Sequence, residues 1–257
     1  MTTAPTTILM RTRTMTTSIP NKTSQTAPGR VPSGRRSFPL GMRAIYLAAV
    51  GALALLASQV HQFPGEIDIS LWVQSWRTQW LDGLMYAVSA PGLWQVAIPI
   101  VALTAATLFF VGRRRESFLV ASAVGSAAVA NIVLKEMIAR PRPPESVVEV
   151  FGSPSTFGFP SGHVMTYVVF LGLLVFLLTF RTRPSPWRTA AYGALTLALV
   201  AVGVSRMYLG VHTLGDVVGG YAFGAGVVLL SGVVWLRWID ADIQPAAETR
   251  AKPRLPS

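Results

Sequence analysis

The chain contains no cysteine and few charged residues for its length. Charged side chains make up 13% of its 257 residues, whereas about 25% is usual in soluble domains. Hydrophobic residues make up 51%. Without cysteine, disulfide frameworks, thiolate nucleophiles and zinc–thiolate sites are excluded. The shortage of charge, together with long apolar runs, predicts an integral membrane protein, because a spanning helix needs roughly 20 mostly apolar residues.

Six apolar runs are candidates for helices that cross the bilayer. They occupy residues 44–60, 93–111, 118–138, 164–180, 190–204 and 214–236. We therefore predict an all-α integral membrane protein whose single domain, residues 43–238, is a bundle of six transmembrane helices. Gly220 and Gly224 in the last run form a GxxxG pair, which favours close packing between helices.

Tryptophans recur at a spacing of four between the first and second predicted spans. Trp72, Trp76 and Trp80 therefore share one face of a helix, and polar residues lie between them. Aromatic side chains are enriched where membrane meets water. This pattern predicts an interfacial amphipathic helix between spans one and two, and its place beside the candidate site would also suit a wall for lipid entry. His61 is predicted to be an interfacial residue.

The two ends of the chain differ in composition from its middle. Residues 1–42 are rich in Thr, Ser, Pro and Arg and have no hydrophobic period, which predicts a disordered, basic cytoplasmic tail. No apolar segment followed by a small-residue cleavage site is present there, so a signal peptide is not predicted. Residues 239–257 are predicted to be a cytoplasmic C-terminal tail.

The net charge of +11 is unevenly distributed. With six spans, both termini lie on one side of the membrane, together with seventeen of the twenty-two Lys and Arg residues. The positive-inside rule makes that side cytoplasmic. The opposite, extracytoplasmic side has seven of the eleven acidic residues. The charge thus reflects membrane topology, and a nucleic-acid partner, which such a charge would suggest in a soluble protein, is not predicted. The five basic residues of the extracytoplasmic side are Arg77, Lys135, Arg140, Arg142 and Arg206.

Three segments at the extracytoplasmic ends of the predicted spans hold most of the reactive side chains. They are residues 135–143, 159–163 and 205–216, and they contain two of the three histidines in the chain. Ionisable groups at membrane depth are costly and mark a candidate functional site. The alternative is that the cations anchor helix ends to lipid headgroups, which explains one or two of them better than a cluster.

The cations of these segments suit a phosphate group. Lys135, Arg142 and Arg206 supply three positive charges, and arginine offers two parallel donors to phosphate oxygens. Ser161 and Gly162 precede the start of a helix, where free backbone N–H groups and the helix dipole favour an anion.

The histidines suit nucleophilic and acid–base chemistry. His212 and Asp216 are four residues apart and share a helix face. A carboxylate bonded to one ring nitrogen fixes the tautomer and leaves the other nitrogen free to attack. His163 supplies a second imidazole that can donate a proton to a leaving oxygen. A purely structural histidine is the usual alternative. Arg140, one turn from the other cations, would either touch phosphate or have a structural or surface role.

In these residues the chain resembles the type 2 phosphatidic acid phosphatase superfamily. The signature of that family has three parts: Lys-x6-Arg-Pro, Pro-Ser-Gly-His, and Ser-Arg-x5-His-x3-Asp. This chain has all three, in Lys135 with Arg142-Pro143, in Pro160 to His163, and in Ser205-Arg206 with His212 and Asp216. The resemblance covers roughly residues 43–238.

The resemblance implies a membrane lipid phosphatase that works through a phosphohistidine. His212 would attack phosphorus, Asp216 would orient it, and His163 would protonate the leaving alcohol and then activate water. Five residues would hold the phosphoryl oxygens: Lys135, Arg142, Arg206, Ser161 and Gly162. Family members need no metal, and no cofactor is predicted here. The implied substrates are polyprenyl diphosphate, phosphatidic acid and phosphatidylglycerol phosphate.

Three other functions fit the same residues. A phosphotransferase would pass the phosphoryl group to a sugar or lipid alcohol instead of water. A vanadium-dependent haloperoxidase has a similar anion site, but six predicted spans disfavour it. A transporter or a binding protein for anionic lipids would need no catalysis, which the presence of His163, His212 and Asp216 disfavours.

Overall fold

The computed structural model describes residues 40–152 and 156–251, and all regular secondary structure within them is helical. The all-α prediction is confirmed for this part of the chain. A 3-10 turn, Ala90–Gly92, joins the third helix to the fourth. The α-helices are α1 Leu40–Gln59, α2 Glu66–Gln74, α3 Gln79–Ser89, α4 Trp94–Phe110, α5 Arg114–Ile138, α6 Gly162–Arg181, α7 Pro186–Tyr208 and α8 Leu214–Ala251.

Most of these helices can cross a membrane. Five of them, α1 and α5 to α8, are long and apolar enough individually. The fourth, α4, has 17 residues and meets the α3 segment at a bend of 53°, in the manner of a broken span or a re-entrant loop. The described residues thus hold five candidate spans, or six, the predicted number, when the bent pair is taken as one span. Their outward faces carry large apolar side chains, such as Phe110 and Trp187 at 84% exposure, as expected for helices surrounded by hydrocarbon.

Close packing of α6 against α8 sets the geometry of the bundle. The GxxxG pair lies in this contact: a Cβ atom on Gly220 would be 2.8 Å from the Ser161 carbonyl oxygen, and one on Gly224 would be 2.8 Å from the Val168 Cβ. Only glycine allows this approach. As a result the first turns of the two helices adjoin, and the Ser161 N–H donates to the Asp216 carbonyl at 2.9 Å.

The tryptophan-rich segment forms two helices where the sequence predicts one. Trp72 lies on α2, Trp76 between the helices and Trp80 on α3, and all three are more than 60% exposed. The break follows Gln74, whose side-chain amide donates to the Glu149 carbonyl at 2.7 Å and accepts from its N–H at 3.1 Å. This contact spans 75 residues of sequence, so the local spacing of tryptophans could not indicate it.

The predicted tails lie largely outside the described residues. Residues 1–39 are not described, and residues 40–42 begin α1. At the other end, α8 continues to Ala251, although the apolar window that can span the membrane ends at Trp238. Helix therefore replaces part of the predicted C-terminal tail, and residues 252–257 lie outside the description.

Candidate active site

A cavity of about 1060 Å³ lies where α5 and α7 end and where α6 and α8 begin. Six of the eight predicted site residues line the cavity: Lys135, Arg142, Gly162, His163, Arg206 and His212. The other two, Ser161 and Asp216, are fully buried beside it at 0% exposure. The structure therefore brings the three predicted segments together at one end of the bundle.

The three cations are held by neutral oxygen atoms. Lys135 Nζ donates to the carbonyls of Phe157 and Gly158, the latter at 3.3 Å. Arg142 Nε donates to the Thr156 carbonyl at 2.6 Å. These bonds fix the side chains and leave their charges uncompensated.

Among the described residues, no carboxylate lies within ion-pair distance of Lys135, Arg142 or Arg206. Arg206 instead donates through Nη1 to the hydroxyl of Ser89. Lys135 is 8% exposed and both arginines are partly buried, and charges removed from water without a partner are costly. A cluster of this kind at a cavity is therefore a strong attraction for an anion.

His212 is positioned by Asp216 on the first turn of α8. His212 Nδ1 lies 3.3 Å from Asp216 Oδ2, and the same oxygen accepts the Thr213 N–H at 3.1 Å. A carboxylate at Nδ1 favours the proton there and leaves the lone pair on Nε2. Burial lowers the pKa of His212 well below its usual value, and the positive charges of Arg142 and Arg206 lower it further. The imidazole is therefore neutral at pH 7, as a nucleophile requires.

A tight turn between α7 and α8 positions His212 at the cavity. Gly210 has a φ of 69°, in the left-handed region, between the end of α7 and the start of α8. A Cβ atom at this position would lie 2.3 Å from the Glu149 carbonyl oxygen. Both the backbone conformation and the space therefore require glycine.

His163 lies in the first turn of α6, close to two further unsatisfied polar groups. Within the described residues, its Nε2 atom is buried without a hydrogen-bond partner, and so are Ser161 Oγ and Arg206 Nε. Buried polar atoms are paired in the great majority of cases. Three such atoms at one cavity, beside the N-terminal amides of a helix, fit an anion with several acceptor oxygens. No group of three or more potential metal ligands occurs among the described residues.

Arg140, which the sequence left open between two roles, points away from the cavity. It is 1% exposed and forms ion pairs with Glu66 at 2.6 Å and with Asp216 at 2.9 Å. Its role in the structure is thus to hold carboxylates. Glu66 was not predicted from the sequence, where its only signal was the excess of acidic residues on the predicted extracytoplasmic side.

Two further residues of the site come from α3 and the turn that follows it. Ser89 accepts from Arg206, and Gly92 packs against the ring of His163. Neither residue was predicted from the sequence, since each contacts a partner far away in sequence.

The cavity extends from the polar site along a furrow between α4 and α5, which we call the α4–α5 groove. Small side chains of both helices line it beside larger ones such as Ile98 and Ile132, and they leave a strip of the two helices uncovered. From Lys135 to Ala121, the groove follows α5 for about 21 Å at the usual rise of an α-helix. Its defining residues are Ala97, Val101 and Ala105 of α4 and Ala121, Gly125 and Ala128 of α5.

Comparison with protein families gives one match that covers the site. The sequence model of the PAP2 superfamily matches residues 116–240. This range contains every residue that the sequence analysis placed in the site.

Individual relatives are also similar to this chain. Phosphatidylglycerophosphatase B of Bacillus subtilis is 32% identical over 149 residues, which are 58% of this chain and 72% of that protein. Undecaprenyl-diphosphatase of Sulfolobus acidocaldarius is 32% identical over 154 residues, 59% of this chain and 69% of that protein.

The fold is similar to a solved membrane phosphatase. The crystal structure of a transmembrane PAP2-type phosphatidylglycerolphosphate phosphatase from Bacillus subtilis superposes with a TM-score of 0.65 at 25% identity. The match covers 74% of this chain and 96% of the other. The similarity therefore extends to nearly the whole of that enzyme.

The contact between Gly92 and His163 gives a test of the site geometry. In Gly92→Ala, the new Cβ atom would lie 2.6 Å from His163 Cδ2, so the imidazole must move. We expect kcat for phosphate release to fall about 10-fold or more, because small displacements of catalytic groups are costly. The matched control is Gly83→Ala on α3, where no atom lies within 4 Å of the added Cβ. Equal turnover of the two variants would contradict the placement of His163.

Proposed function

Since the chain belongs to the PAP2 superfamily and is a membrane lipid phosphatase, we propose that it acts through a phosphohistidine formed on His212. The observation that carries this proposal is the set of uncompensated cations around a neutral histidine. Lys135, Arg142 and Arg206 have no carboxylate partner among the described residues. A phosphate brings the missing negative charge, and arginine donors match its oxygens.

In the first step, Nε2 of His212 attacks phosphorus and the bond from phosphorus to the lipid oxygen breaks. His163, which the negative charge of the bound phosphate keeps protonated at this stage, gives its proton to the leaving oxygen. Asp216 keeps its bond to Nδ1 and offsets the positive charge that develops on the ring of His212. The products of this step are the free lipid alcohol, or the lipid monophosphate from a diphosphate, and a phosphoryl group on His212.

In the second step, the now neutral His163 takes a proton from water, and the water oxygen attacks phosphorus. The phosphorus–nitrogen bond breaks, inorganic phosphate leaves, and His212 returns to its neutral form. His163 is again protonated, ready for the next cycle.

Charge on the phosphoryl oxygens would be stabilised in both steps by groups already in place. These groups are the side chains of Lys135, Arg142 and Arg206, the hydroxyl of Ser161 and the backbone N–H of Gly162. Fixed donors in a site that excludes bulk water need little reorganisation during the reaction.

The α4–α5 groove supports a substrate with at least one long hydrocarbon chain. It joins the phosphate site to the apolar surface between two spanning helices, and its length of about 21 Å exceeds half the thickness of the hydrocarbon core. The chemistry of the substrate is thus a phosphate or diphosphate on a long lipid. Polyprenyl diphosphate, phosphatidic acid and phosphatidylglycerol phosphate all meet this description. From the distribution of basic residues, we propose that the termini are cytoplasmic and that the site faces the extracytoplasmic side.

Phosphate release from these three lipids, measured with purified protein in detergent micelles, tests the proposed function. We expect turnover of at least one lipid and a loss of about 1,000-fold or more in His212→Ala, because removal of a nucleophile abolishes the covalent route. His61→Ala is the matched control. It removes an exposed histidine, and we expect an effect within about twofold. The proposal fails if the wild-type protein hydrolyses none of the lipids or if His212→Ala matches the wild type.

Narrowing the α4–α5 groove tests its role in binding the chain. Gly125 has open space around it, so that Gly125→Leu places a side chain in the groove without a clash. We expect kcat/KM to fall about 10-fold for a long-chain lipid phosphate and to change little for a water-soluble aryl phosphate. The control is Ser126→Leu, one residue further on, at an exposed position that does not line the cavity. An equal loss for both substrates would argue against the groove as the chain site.

A further inference from the structure

A buried network of charges lies behind the proposed nucleophile, on the side away from the cavity. Glu66, Arg140, Asp216 and His212 are each at most 3% exposed. They come from α2, from the loop after α5, and from the start of α8, so that 74 residues separate Glu66 from Arg140. The proposed mechanism uses only the last two of these residues.

Arg140 is bound on all sides by protein groups. Nη1 donates to Asp216 Oδ1 at 2.9 Å and to Thr213 Oγ1 at 3.2 Å. Nη2 donates to Glu66 Oε2 at 2.6 Å, and Nε donates to the Val60 carbonyl at 3.3 Å. The guanidinium also lies 4.4 Å from the centre of the Phe63 ring. Nε, Nη1 and Nη2 thus all donate to protein acceptors, and Arg140 does not line the cavity.

Asp216 joins Arg140 to His212 through its two oxygen atoms. Oδ1 accepts from Arg140, and Oδ2 faces Nδ1 of His212 at 3.3 Å. The carboxylate can therefore not rotate toward the imidazole or away from it without breaking the bond to Arg140. In this way the position of Arg140 sets the orientation of the ring.

Glu66 fixes Arg140 in turn and offsets its charge. Its carboxylate accepts the N–H of Gly215 at 2.6 Å and the N–H of Phe63 at 2.7 Å, in addition to Arg140. It thereby ties α2 to the first turn of α8. Without Glu66, the guanidinium would neutralise Asp216 alone. With Glu66 present, the three groups carry one net negative charge that is available to a positively charged imidazole.

We propose that Arg140 and Glu66 are positioning residues for the phosphatase reaction, acting through Asp216 on His212. This inference rests on the proposed role of His212 as nucleophile. Buried ion pairs add little stability against apolar residues of the same shape, because of the cost of desolvation. Their presence beside the nucleophile is accounted for by the orientation that they impose.

Steady-state kinetics of full-length variants in detergent test this inference. We expect Arg140→Lys to lower kcat about 10- to 100-fold, as is typical when a partner behind a functional group is changed. The KM and the inhibition constant of inorganic phosphate should stay within about threefold, because the phosphate ligands are untouched. Glu66→Gln should lower kcat by a smaller factor. Asp68→Asn, at an exposed position on the same helix, is the control and should resemble the wild type.

A double-variant cycle shows whether Arg140 acts through Asp216. If it does, Arg140→Lys combined with Asp216→Asn is no slower than Asp216→Asn alone, whereas independent effects would multiply. Thr213→Val removes only the 3.2 Å bond to Arg140 and serves as a milder probe if Arg140→Lys does not fold. We expect it to lower kcat with an unchanged inhibition constant for phosphate.

Two results would overturn the inference. In the first, the kcat losses of Arg140→Lys and Asp216→Asn multiply in the double variant. In the second, Arg140→Lys raises the inhibition constant for phosphate at unchanged kcat, which would make Arg140 a phosphate ligand. Failure of the proposed function is recognised separately. It requires that His212→Ala keeps wild-type turnover, whatever the Arg140 variants do. An inactive His212→Ala together with a fully active Arg140→Lys would reject the positioning role alone.

Discussion

Lys135, Arg142 and Arg206 carry positive charge at the end of an apolar bundle, and no described carboxylate pairs with them. The rest of the site can be understood from this constraint. The carbonyl and hydroxyl groups around these side chains fix their positions without cancelling their charge. The carboxylates that could cancel it, on Glu66 and Asp216, are instead held by Arg140. Opposite charges are thus separated within one small region, and the cavity stays positive where a phosphate would bind.

The helices α2 and α3 connect the tryptophan-rich surface to this region. The outward face of α2 carries the exposed Trp72, while its inward face carries the buried Glu66. The α3 segment ends in Ser89, which holds Arg206, and continues to Gly92, which packs on His163. The same two helices that present exposed tryptophans therefore also support groups on both sides of the cavity.

Much of the architecture could be predicted because it depends on local sequence. Apolar length predicts the spans, and the second predicted run, residues 93–111, differs from α4 by one residue at each end. The motif residues are also close together in sequence within each segment, and the charge distribution places the segments at one end. The roles of those residues in catalysis remain part of the proposal.

The remaining features depend on contacts between distant residues. The sequence cannot predict whether Arg140 binds a phosphate or a carboxylate. Both anions attract a cation, and the carboxylate of Glu66 is 74 residues away in the chain. Gln74, the last residue of α2, meets Glu149 across 75 residues, a contact that local sequence spacing does not reveal. The α4–α5 groove arises where small residues of two helices coincide, and the helix register that produces this is set by packing.

The phosphohistidine is the central claim, and trapping it is the most direct measurement. With an aryl phosphate whose leaving group needs no acid, His163→Ala should complete the first step and stall at the second, since the base for water is missing. Mass spectrometry of the rapidly quenched protein is predicted to find an acid-labile phosphoryl group on His212. Release of phosphate from this substrate by the wild-type protein, with no phosphoryl group detectable on any histidine of either protein, would contradict the account.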